Sequence, residues 1–217
     1  MRFGPTSFSD DTELTQPISS FGPLIARASL YATVIKVNGP CVIGENLEIN
    51  KLLKVNGPLT IEGTLTCIAD TNIKVNGPVK IKKGVIGGTI RINGPVKSEY
   101  LDVTSLSING PLQVKEDVIA GNEINLGVGS GSKVHSGSFI EVGGVIEAPV
   151  VRINNYTSKI SASGIVKRIF GLEEKYIRTV VLENLRIKTK LLELDGVELE
   201  NCDLDQVDKI VHIHDEE

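Results

Sequence analysis

The sequence predicts an all-β protein, a single-stranded parallel β-helix forming a triangular β-solenoid of about 17–18 residues per turn. Three observations predict it. First, Asn-Gly-Pro recurs at Asn38-Gly39-Pro40, Asn56-Gly57-Pro58, Asn76-Gly77-Pro78, Asn93-Gly94-Pro95 and Asn109-Gly110-Pro111. With Phe3-Gly4-Pro5 and Phe21-Gly22-Pro23 included, a Gly-Pro pair recurs about every 18 residues from Pro5 to Pro111. Second, apolar residues alternate with period two around each copy. Third, aromatics make up only 4% of the chain and tryptophan is absent, which suits a narrow core of Val, Ile and Leu.

One coil can be built from these features. Leu53, Val55, Gly57, Leu59 and Ile61 fall on one face of the chain, and Lys54, Asn56, Pro58 and Thr60 on the other. A further inward pair completes most coils, as in Leu47/Ile49, Leu65/Cys67 and Leu101/Val103, so a turn reads as three short strands. At the bend an inward-pointing residue without a Cβ accepts the close quarters. Proline then leaves the corner, where no ladder donor is needed. Asparagines repeated at the strand spacing of about 4.8 Å are expected to bond one another along the axis and fix the register between turns.

Along the chain, residues 1–33 read as degenerate N-terminal coils, with the polar stretch Ser7–Thr15 looping outside the rod. Residues 34–164 read as the regular β-helix, bulging around Ala69-Asp70-Thr71-Asn72. Pro149 reads as the same corner two turns beyond Pro111. Residues 165–178 read as a short helix or irregular insertion, 179–213 as C-terminal β-helix coils and 214–217 as an acidic tail. In the last coils, Leu185/Ile187 recur as Cys202/Leu204, and Leu194 as Val211, each one coil length on. Dividing 217 residues by about 18 gives about 12 turns and a rod of about 58 Å.

Charge is unevenly distributed. Residues 1–100 carry a net charge of +3 and the remainder −7, so the rod is electrically polar. Cys41, Cys67 and Cys202 sit at apolar strand positions without CxxC spacing, as expected of buried thiols in a reducing compartment. With neither a signal-like leader nor an apolar run of about 18 residues, the expected location is cytoplasmic, with membrane association left open.

No catalytic or cofactor-binding residues and no metal ligands are singled out. His212 and His214 share a strand face opposite Val211 and Ile213, expected to be solvated, and His135 lies about four turns away. Gly127-Val128-Gly129-Ser130-Gly131 is not followed by the helix that a phosphate-cradling loop needs. One surface feature stands out: Lys36, Lys54, Lys74 and Arg91 occupy the same place before Asn-Gly-Pro, so successive coils stack them. The column is read as a solvated face or as a surface for anions such as a membrane. The acidic balance argues against nucleic acid.

With the five Asn-Gly-Pro copies, the apolar-x-apolar pairs and the coil length, residues 18–164 resemble the bactofilins and related polymer-forming β-helix proteins. The resemblance implies a right-handed coil that polymerises end to end into nucleotide-independent, cytoskeleton-like filaments, often near a membrane. The expected partner is the chain itself, with a membrane surface or another protein also open. The ends expected to meet involve Phe3, Val207, Ile210, Val211 and Ile213, where strand character runs close to both termini. Two other readings stand beside it. One is a non-polymerising scaffold or accessory β-helix subunit of an enzyme. The other is a left-handed β-helix acyltransferase, disfavoured because the Gly-Pro signal comes once per turn rather than three times.

Overall fold

The structure, a computed structural model, describes residues 2–68, 70–128, 140–155 and 180–213. These residues form parallel strands stacked as a β-solenoid with three faces. Each Asn-Gly-Pro closes the first face, whose strands include Asn72–Asn76, Thr89–Asn93 and Ser105–Asn109. The second face follows the proline, as in Val79–Ile81, Val96–Ser98 and Leu112–Val114. The third completes the coil, as in Leu65–Cys67, Gly84–Ile86 and Tyr100–Val103. In Leu30–Asn38 and Leu47–Asn56 the third-face strand continues round the corner into the next first-face strand. That continuity joins two faces into one sheet of 19 strands, while the second face keeps a sheet of eight and another of two.

The period-two pattern places the core as expected. Leu53, Val55, Leu59, Ile61, Leu65 and Cys67 are buried around one coil, and matching apolar columns stack above and below them. Each buried aliphatic side chain contributes about 1.5–3 kcal/mol, so a core of Val, Ile and Leu running the length of the rod needs no aromatic centre.

The Gly-Pro corner follows from two local constraints. Gly57 has φ +148°, and a Cβ there would lie 2.5 Å from the Gly39 carbonyl oxygen. The glycines of successive coils therefore lie against one another, closer than any side chain permits. Gly57 N–H donates to Asn76 O at 3.0 Å and Leu59 N–H to Pro78 O at 2.9 Å. Proline occupies the position between these two donors, where its missing N–H removes no bond from the ladder.

Several expectations are corrected. Ser7–Thr15 does not loop out: Thr6–Phe8 pairs with Leu24–Ala26 and Thr12–Leu14 with Leu30–Ala32. The polar residues are accommodated by hydrogen bonds, Asp11 Oδ1 accepting from Ser29 N–H at 2.9 Å. The expectation of about 12 turns is too high. Eleven first-face strands succeed one another from Arg2–Phe3 to Lys209–Ile213, a rise of about 50 Å. Leu112 pairs with Ile140 and Val145 with Arg186, so two coils consume far more sequence than the regular repeat does. Pro149 is not on the Gly-Pro corner. It lies between Val145–Glu147 and Val150–Asn155, at the junction of the third and first faces.

The bulge near residue 70 is a real corner extension, held by Thr71 Oγ1 donating to Ile49 O at 3.1 Å. Residues 165–178, His135, His214 and the acidic tail lie outside the described residues.

Candidate functional site

Because the coils stack in register, an outward residue becomes a column along the rod. On the first face Lys36 pairs with Lys54, Lys54 with Lys74 and Lys74 with Arg91, and all four are exposed. Ser107 and Asn125 continue the column to Arg152, which is clamped by Glu123 and Glu193. Among the described residues no acid pairs with the first four cations, although Lys82–Glu62, Lys115–Glu99 and Lys188–Glu147 do pair. Four like charges about 5 Å apart repel one another.

Two positions further along each strand runs the amide column. Asn56, Asn76, Asn93 and Asn109 each donate Nδ2 to the Oδ1 of the asparagine one coil earlier, at 2.6, 2.9, 2.8 and 2.8 Å. Five amides thus form one polarised chain beside the cations. Gly39, Gly57, Gly77, Gly94 and Gly110, with Pro40, Pro58, Pro78, Pro95 and Pro111, carry the corner next to it.

The third face carries a group that the sequence analysis did not single out. Glu13 pairs with Tyr31 and Tyr31 with Glu48, outward and in register, lining a shallow groove of about 560 Å³ with Thr15, Thr33 and Asn50. Tyr31 is 40% exposed, and among the described residues no cation pairs with either glutamate. The three positions are one coil length apart from each other in turn, a signal that could have revealed them. Assigning Ser7–Thr15 to a loop hid it.

At the far end one register expectation fails. His212, not Val211, pairs with Leu194, and Ile210 with Leu192. Three residues, 206–208, turn the corner before Lys209–Ile213, with Gln206 at φ +55°, whereas two, 189–190, turn it one coil earlier. The extra residue shifts the strand by one and exchanges its faces. Ile210 and His212 therefore stand over the core positions Leu192 and Leu194, while Val211 stands over half-buried Glu193 and Ile213 over buried Asp195. Val207 packs partly buried against the core. At the other end, Arg2–Phe3 pairs with Ile18–Phe21.

Cys41 and Cys67 are buried free thiols whose pKa is pushed up to about 12 by burial, and Cys202 is half-buried. Among the described residues no group of three or more His, Cys, Asp or Glu side chains could hold a metal ion. Nor, among them, is any helix long and apolar enough to cross a membrane. No protein-family model, curated protein or solved structure matches the chain.

Proposed function

We propose that the chain is a structural scaffold whose coils stack end to end into nucleotide-independent, cytoskeleton-like filaments. The observation that carries this reading is the exposure of core-column side chains in the last of the described coils. Leu204 and Ile210 stand in core columns above Ile187 and Leu192, yet are 37% and 44% exposed, and Ile213 beside them is 42% exposed. Among the described residues, Lys209–Ile213 is paired on one side only, as is Arg2–Phe3 at the opposite end. An unpaired strand edge over uncovered core side chains is a template for another strand. The first coil of a second copy offers that strand with the same parallel geometry. Charge agrees in part, since residues 195–217 carry nine acids and one lysine while the N-terminal half is net basic. The resemblance to bactofilins points the same way, and the three free cysteines suit a cytoplasmic filament.

The test is sedimentation of the purified protein without nucleotide, beside Leu204→Asp/Ile210→Asp. The wild type is expected to form large species and the variant to remain small with an unchanged β-sheet circular dichroism spectrum. Equal sedimentation of the two proteins would count against end-to-end stacking.

A second reading, a non-polymerising binding scaffold, is favoured by one feature. A groove of about 500 Å³ runs along the second face between the proline rail, Pro58 to Pro111, and Thr60, Lys80 and Lys97. On that reading both proteins sediment as monomers.

A further inference from the structure

We propose that the Glu13–Tyr31–Glu48 groove receives the Lys36–Lys54–Lys74 column of a second copy, pairing rods side by side. This interface goes beyond end-to-end stacking and uses none of the same residues. Both columns are outward and run along the rod axis at the same strand pitch. Lys36 and Lys74 therefore stand one coil on either side of Lys54, just as Glu13 and Glu48 stand on either side of Tyr31. In each triad the outer members are about 10 Å apart. Tyr31 and Lys36 share the strand Leu30–Asn38, and Glu48 and Lys54 share Leu47–Asn56. Two parallel rods staggered by one coil thus bring the carboxylates against the outer ammoniums and the exposed ring against the middle one. The carboxylates supply charge-assisted bonds and the ring a cation–π contact.

Three observations favour a second copy over a solvated surface. The lysines and glutamates of both triads lack ion-pair partners among the described residues, whereas Lys82, Lys115 and Lys188 find theirs within the chain. Stacked cations repel at a cost that an opposing acidic column removes. The acceptor is also a shallow groove of about 560 Å³, with Glu13, Tyr31 and Glu48 lining it side by side. Because donor and acceptor lie on different faces of each chain, the contact is heterologous and leaves both partners able to bind again.

The experiment compares wild type, Glu13→Lys/Glu48→Lys and Lys36→Glu/Lys74→Glu by electron microscopy and sedimentation at about 0.01 M and about 1 M salt. The Debye length falls from about 30 Å to about 3 Å between these conditions. Wild type is expected to associate laterally at low salt and to lose that association at high salt. Each variant alone is expected to lose it at low salt, because its two columns carry the same sign. An equimolar mixture of the variants is expected to regain it, since each then presents the sign the other lacks. Failure of the mixture to recover, or no salt-dependent lateral association of wild type, would overturn the proposal. So would binding of wild type to anionic phospholipid vesicles without rod pairing, which would assign the cations to a membrane. The test is separable from the filament reading. Lys36→Glu/Lys74→Glu lies away from both terminal coils and should still stack end to end, and Leu204→Asp/Ile210→Asp should still pair laterally.

Discussion

Asn56 donates its Nδ2 to Oδ1 of Asn38 at 2.6 Å, and its own Oδ1 accepts Nδ2 of Asn76 at 2.9 Å. Every interior asparagine of the column thus acts as donor and acceptor along the axis, locking each coil to the next.

Replacing Asn76 with alanine removes two bonds of this chain, those to Asn56 and Asn93. A net hydrogen bond contributes about 0.5–1.5 kcal/mol, and these amides are exposed, so a loss of about 1–2 kcal/mol is expected in urea unfolding. Unchanged stability would mean that the backbone ladder alone sets the register.

Gly57→Val places a β-branched side chain at φ +148° and against the Gly39 carbonyl, so the coil has to open. The expected cost is about 3 kcal/mol or more. Thr60→Val, outward on the next strand, is the control and should move stability by less than about 0.5 kcal/mol. Equal midpoints for the two variants would contradict the corner geometry.

Cys41 and Cys67 are raised from the ordinary thiol value of 9.0 to about 12 by burial. Between those values the folded chain keeps protons that the unfolded chain releases, so stability is expected to fall as pH rises from about 9 towards 12. Cys41→Ala/Cys67→Ala should flatten that fall relative to wild type. In native protein at pH 8, a thiol reagent should modify Cys202 first, and rapid labelling of all three thiols would contradict the burial of the other two.

The fold was legible because its signals repeat. Asn-Gly-Pro marks one corner in coil after coil, and alternation such as Leu53, Val55, Leu59, Ile61 shows which side chains face inward. The coil count was not legible, because the pairings Leu112–Ile140 and Val145–Arg186 span residues that carry no repeat. Nor was the final register, where one additional corner residue among 206–208 exchanges His212 with Val211. The cation column could be read because it borrows the Asn-Gly-Pro frame. Glu13, Tyr31 and Glu48 have no shared motif, and they align only once the first coil is recognised as part of the stack.

The most direct test of the scaffold account is electron microscopy of the purified protein, without nucleotide and at moderate salt, with the axial spacings read from image transforms. The account predicts filaments in which a strand spacing of about 4.8 Å continues through the junctions, with one protein about every 50 Å along the axis. Isolated rods of that length at high protein concentration, unchanged when residues 1–17 are removed, would contradict it.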